Sequence, residues 1–415
     1  MKKAVLFVDD DLNIIRGLRR VMRVMCSEWD LFFVESGEEA LQKLSQNKID
    51  VIVADMRMPG MDGAELFGIV RDYHPHVIRI ILSGQAGLEN SLRLTEVAHQ
   101  YLAKPCHASA IKDCIERFFM LERKFVKNVE IRKAINGIQN LPSLPGLYNI
   151  IVEELESPKV SLKKIGEIIA QDMVMCAKVL QLVNSAFFGL PQEEALPCQA
   201  VSFLGLKIIE ELFLSKQIFF APEGEPGFNS LYLNELWKHS VAVGEVAREI
   251  ALGETTDLKV ADEAYVAGLL HDIGKIVLLE IPEYSSRFRR HIYKKQCSPL
   301  TAEYELLGVT HAGVGGYLLG LWNAPDRIVE AVAFHHCPEK AAGKHFSLLT
   351  CVHVANSLLG PGGISNESIC EDSRFPRCLD IQYIKKLNLE SRLESWFECC
   401  RKVKNRGAHQ PECSF

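Results

Sequence analysis

Five short runs of β-branched and aromatic residues within positions 1–121, AVLFV, DLFFV, VIVA, VIRIIL and QYL, constrain this chain more than any other feature. Stretches with apolar residues at helical spacing lie between and after them, as from Leu12 and from Gly37. Short apolar strands separated by helical crossovers predict a parallel, doubly wound α/β sheet with helices on both faces. In such sheets ligands gather beyond the carboxyl ends of the strands. The first run ends in Asp9 and Asp10, the third in Asp55 and the fourth in Ser83, and Lys104 follows the fifth. The topology therefore brings these five side chains together. Three carboxylates at one point require a cation, and a hard oxygen set suits Mg²⁺. With a lysine and a hydroxyl beside them, the set reads as a phosphoryl-accepting site in which Asp55 is the nucleophile.

The segments FVDDD, VIVADMRMPGMDG, ILSG and YLAKPC resemble the receiver domain of two-component response regulators over about the first 120 residues. The resemblance implies a flavodoxin-like strand order, Asp55 as phosphoacceptor, and Mg²⁺ bound by Asp9, Asp10 and Asp55. It also implies that Ser83 and Lys104 sense the phosphoryl group, that Tyr101 is the switch aromatic, and that a cis bond precedes Pro105. A cognate histidine kinase is the implied phosphodonor.

No glycine or proline interrupts the helical spacing from Ala108 until Gly137, so the last receiver helix is expected to run on through a linker at residues 122–140. Ile111, Ile115, Phe118, Phe125 and Val129 form a near-heptad seam that Glu122 interrupts. A seam this short favours packing on its own domain; the alternative is a homodimer through this helix. Asn140 and the LPSLP that follows end the helix.

From residue 141 to about 360 the apolar spacing is three and four, with Ser161 as a helix cap and Gly189 as a stop, which predicts an all-α bundle. His239, His271 with Asp272, His311, His335 with His336, and Asn356 each fall on a different helical segment, so a bundle can aim them at one point. The segments LPSLP, IIAQDMVMCAKVLQLVNSAFFG and QAVSFLG resemble the HDOD output domain, an all-α relative of the HD phosphohydrolases. Asn184 and Ser185 in that pattern read as local backbone partners. The HD-like order of His, HD, His and HH resembles the two-metal HD-GYP phosphodiesterases. It implies one ion (Fe, Mn or Zn) on His239, His271, Asp272 and a last acid, and another on Asp272, His311, His335 and His336. Here the last acid is Asn356, which brings no charge, and HHCPEKA lacks the GYP loop. Lys275 of HDIGK is placed to contact a phosphate.

A chain of 415 residues, 48% apolar and 24% charged, builds more than one globular core. Its net charge of −6 and lack of a basic block argue against nucleic-acid binding. Three aspartates break the first apolar run and no long apolar segment follows, so neither a signal peptide nor a membrane span is expected and the setting is cytoplasmic. The 13 cysteines are scattered without a CxxC pair and read as free thiols. Residues 361–415 read as a loop near residues 361–378, an amphipathic helical pair and a disordered tail, and a further loop is expected near residues 223–228. Together these features predict a phosphorylation-controlled response regulator whose HDOD domain binds a downstream signalling protein or small ligand. The alternative is a metal-dependent HD-type phosphohydrolase or cyclic-nucleotide phosphodiesterase switched by the receiver.

Overall fold

The computed structural model describes the chain apart from residues 1, 24–26, 84–96, 105, 139–140, 186–193, 215–229, 344, 361–377 and 408–415. Pro105, the turn beyond Ser185 with Gly189, Asn140, most of the loop expected before residue 378, the loop near residues 223–228 and the terminal tail therefore lie outside the described residues. Two compact units emerge, one built on residues 1–139 and one on most of the residues from 140 onward.

In the first unit, β1 (Lys3–Val8), β2 (Trp29–Val34), β3 (Val51–Asp55), β4 (Ile78–Ser83) and β5 (Gln100–Ala103) form one parallel sheet in the order β2-β1-β3-β4-β5. This is the flavodoxin-like arrangement expected. Every residue of β3, and all of β1 after Lys3, is buried, because helices cover both faces. The crossover helices start where their sequences allow. Asp11 caps α1 (Leu12–Met22), Ser36 caps α2 (Gly37–Gln46), and Asp62 with Glu65 forms a capping box on α3 (Gly63–Tyr73).

The single helix expected across residues 108–137 is two helices, α4 (Ala108–Lys124) and α5 (Val129–Gly137). A polar cap, not a glycine or proline, makes the break: the Asn128 side chain accepts a hydrogen bond from the Glu130 amide at 2.9 Å. Ile111, Ile115 and Phe118 are buried, whereas Val129 is 40% exposed, so the seam does not continue across the break. Glu122 is buried because it joins elements: Lys3 and Arg132 each reach it at 2.6 Å. On α5, the Asn136 carbonyl accepts from Arg79 at 2.8 Å, and its side-chain amide donates to the His76 carbonyl at 3.3 Å. Residues 122–137 thus fold as part of the first unit instead of forming a separate linker.

The second unit is all-α. Its helices are α6 (Pro145–Leu155), α7 (Leu162–Ile169), α8 (Met173–Val183), α9 (Pro197–Leu204), α10 (Leu206–Leu214), α11 (Ser230–Glu254), α12 (Leu258–Leu270) and α13 (Ile273–Leu279). They continue as α14 (Tyr284–Lys295), α15 (Pro299–Leu307), α16 (His311–Leu321), α17 (Asp326–Phe334), α18 (Leu348–Leu359), α19 (Ile381–Lys386) and α20 (Leu393–Gly407). The last helix closes on α11, where the Trp396 indole donates to Glu254 at 2.8 Å. No helix among the described residues is long and apolar enough to cross a membrane. The ten described cysteines are free thiols.

Candidate functional site

Asp9 follows β1 and is buried, Asp55 ends β3, and Lys104 follows β5. The Lys104 ammonium lies 2.7 Å from Asp9 Oδ2 and also pairs with the Asp55 carboxylate. Asp9 Oδ1 accepts from the Asp11 amide at 3.0 Å, and Asp55 Oδ2 from the Arg57 amide at 3.1 Å. Burial pushes the Asp9 carboxyl up, against the opposing pull of Lys104. Burial also works against the Lys104 charge, but its bonds to Asp55 and Asp9 outweigh this and its pKa rises. Asp10 sits beside Asp9 and is exposed. Ser83 closes β4 opposite Ala103, but its side chain lies outside the described residues. Tyr101 is buried in the core on β5.

In the second unit, the segment Leu269–Lys275 crosses from α12 to α13 and puts Asp272 at the centre of a histidine cluster. Two close helix contacts make this possible. A side chain on Gly268 would come within 2.7 Å of the Gly244 backbone, and one on Gly274 would overlap the His311 carbonyl. Glycine at both positions lets α12 lie against α11, which carries His239, and α13 against α16, which begins with His311.

The two oxygens of Asp272 face different partners. Oδ1 lies 3.1 Å from His311 Nε2 and 4.0 Å from His335 Nε2. Oδ2 lies 2.6 Å from Lys275 Nζ, 3.2 Å from His271 Nε2 and 3.9 Å from His239 Nε2. His336 Nε2 stands 3.1 Å from His311 Nε2, and His239 Nε2 stands 3.1 Å from Asn356 Oδ1 on α18. The far ring nitrogens are tied down: His271 Nδ1 donates to the Gly268 carbonyl (2.7 Å), His335 Nδ1 to the Val332 carbonyl (2.8 Å), and His311 Nδ1 to Glu303 (2.8 Å). Each such bond turns an Nε2 lone pair toward Asp272. Among the described residues, His271 Nε2, His335 Nε2 and Asp272 Oδ1 are buried without a hydrogen-bond partner.

Burial holds three of the imidazoles neutral, with His239 down at about 4, His336 at about 2 and His335 well below the usual histidine range. Burial acts the same way on His311, but the Glu303 carboxylate more than offsets it. Asp272 is held well below the carboxylate range in spite of its burial, with the His271 and His311 rings and the Lys275 ammonium around it favouring the carboxylate.

Residues 5–116 match the response regulator receiver domain and residues 141–338 the HDOD domain. The chain joins a receiver domain to an HDOD domain. That is the architecture of a response regulator, and the receiver half carries the Asp9, Asp55 and Lys104 cluster while the HDOD half carries the histidines around Asp272. An uncharacterized protein of Treponema pallidum is 27% identical over 53% of this chain and 42% of its own length. The response regulator protein FleR of Pseudomonas aeruginosa is 30% identical over 28% of this chain and 24% of its own. The chain thus spans less than half the length of either relative. The MmoQ response regulator of Methylococcus capsulatus is 18% identical over 62% of this chain and 98% of its own, with a TM-score of 0.45.

The HDOD cluster has the chemistry of a metal site. Orphaned Nε2 lone pairs facing a buried carboxylate oxygen, with their tautomers fixed from behind, are what an imidazole-binding dication requires. The residues fit Zn²⁺, Fe²⁺ or Mn²⁺ better than Mg²⁺ or Ca²⁺, since nitrogen predominates. All seven expected residues, together with Lys275, converge here.

Sequence reasoning missed Glu303, eight positions before His311 on the preceding helix, because a buried acid has no local signature. It also missed Asp172. That buried carboxylate accepts from the Leu144, Val174 and Met175 amides (2.8, 2.8 and 2.9 Å) and the Trp237 indole (3.1 Å). Its place just before α8 is a cap signal. Ser185 bonds locally as expected, its hydroxyl donating to the Leu182 carbonyl at 2.7 Å.

Proposed function

We propose that this response regulator accepts a phosphoryl group on Asp55 from a histidine kinase, and that phosphorylation controls an HDOD domain acting on a downstream signalling protein or small ligand. The gathering of Asp9, Asp55 and Lys104 at one end of the sheet carries the reading. Mg²⁺ held by Asp9, Asp10 and Asp55 supplies charge neutralisation when bound. Lys104 and Ser83 then receive the phosphoryl oxygens, and Tyr101 follows the change at β4 and β5. Incubation with acetyl phosphate and Mg²⁺ should add one phosphoryl group per chain, read by intact mass. Asp55→Asn should abolish the addition; incorporation at the unmodified protein's level in that variant refutes the acceptor assignment.

A second reading, a metal-dependent phosphohydrolase, is favoured by the unpartnered Nε2 atoms around Asp272. A divalent transition metal there would supply Lewis-acid polarisation of a phosphoester. Its ligands would be drawn from Asp272, His311, His335 and His336, with His271 beside Asp272, Glu303 orienting His311 and Lys275 reaching a phosphate oxygen. Elemental analysis of anaerobically purified protein, together with turnover of bis(p-nitrophenyl) phosphate, separates the readings. Bound metal with turnover supports the hydrolase; bound metal without turnover leaves a metal-stabilised binding module.

A further inference from the structure

We propose that the HDOD core is built for one metal ion, held by Asp272 Oδ1, His311, His335 and His336, and that the Lys275 ammonium occupies the charge position of a second. This inference rests on the reading of the cluster as a metal site.

Two ligand atoms bound to one ion at about 2.1 Å can stand no more than about 4.2 Å apart. The Oδ1 side meets that limit with separations of 3.1 Å to His311, 4.0 Å to His335 and 3.1 Å between His311 and His336. His311, His335 and His336 group as one metal-competent set and His239, His271 and Asp272 as another, so charge and occupancy, not spacing, separate the two sides. Glu303 and the Val332 carbonyl fix the tautomers of two of these rings, so little must rearrange for binding.

The Oδ2 side differs in three ways. Lys275 is already bound to this oxygen at 2.6 Å, and a second dication sharing it would lie close to a like charge in a poorly screened core. His239 uses Nε2, the nitrogen facing the cluster, to donate to Asn356 Oδ1. Its lone pair then resides on Nδ1, which is buried without a partner. Asn356 itself offers no negative charge. The cluster holds two carboxylates, Asp272 and Glu303, and one ammonium, so one dication nearly balances it and two leave it strongly positive. The sequence asymmetry at Asn356 and the geometry at Lys275 thus disable the same side.

Stripped full-length protein should be titrated with Zn²⁺ by calorimetry, with bound metal counted by elemental analysis after gel filtration and folding followed by circular dichroism. One equivalent is expected. His335→Ala should weaken it at least 10-fold, His239→Ala should leave it within about 3-fold, and Lys275→Met combined with Asn356→Asp should admit a second equivalent. Two equivalents in the unmodified chain overturn the one-ion inference but leave the metal reading intact. So does a single ion lost in folded His239→Ala and kept in His335→Ala. No binding at all overturns the metal reading and this inference with it, and a folded double variant that stays at one equivalent overturns the role given to Lys275.

Discussion

At the scale of single residues, the buried carboxylates without a sequence signature make the sharpest predictions. Glu303 touches His311 through both oxygens, at 2.9 and 2.8 Å, and orients the ring. Glu303→Gln should therefore lower Zn²⁺ affinity about 10- to 100-fold with the fold unchanged, as measured by chelator competition. Burial pushes the Asp172 carboxyl up to about 6, against four donors that favour its charged form. Its folded pKa thus exceeds the unfolded value of about 3.9. The stability linked to its proton is complete below about pH 4 and lost as pH rises through about 6, on the order of 3 kcal/mol. Asp172→Asn cannot ionise, so denaturant midpoints should lose that downward slope between pH 4 and 7. An unchanged slope would assign the effect elsewhere. Asp55 and Lys104 were legible from sequence because strand ends and topology converge on one place. Glu303 was not, because its partner lies across a turn that only tertiary packing closes.

At the scale of elements, the junction of α4 and α5 shows where helical periodicity misleads. Spacing without glycine or proline predicts continuity, yet Asn128 is a good N-cap in mid-run, and a side chain that bonds its own backbone competes with helix propagation. Glu122 looked like a defect in a seam, but it is the ionic joint between β1, α4 and α5. Removing one member of a buried ion pair leaves the others uncompensated, so Glu122→Ala should cost about 3 kcal/mol in receiver stability. Lys3 is partly exposed, which places the cost at the lower end of that class. Calorimetric melting of the full chain should show the receiver transition shifted and the HDOD transition unmoved. Gly274 makes a matching prediction for the output bundle. Gly274→Ala must push α13 away from the start of α16, weakening Zn²⁺ binding through His311 without touching a ligand.

At the scale of the whole molecule, a net charge of −6 says little about either centre, since each keeps its acids locally neutralised by a lysine. The HDOD helices also bury many large apolar side chains, including Trp237, Tyr317 and Phe213. A domain with that much core does not depend on an ion to fold, in contrast to small metal-dependent domains. Chelation should therefore leave helical circular dichroism unchanged and lower the melting temperature by only a few degrees, with full recovery on adding Zn²⁺; global unfolding on chelation would show that the ion is structural. The two-domain plan and the site's membership were readable because they rest on periodicity and residue order. The split of Asp272 into two unlike faces was not, because it depends on which oxygen each side chain meets. Arg79 adds a mechanical consequence. It sits near the start of β4 and grips the Asn136 carbonyl near the end of α5, while Ser83 stands at the strand's other end. A shift of this six-residue strand along its axis would therefore pull on the last turn of α5.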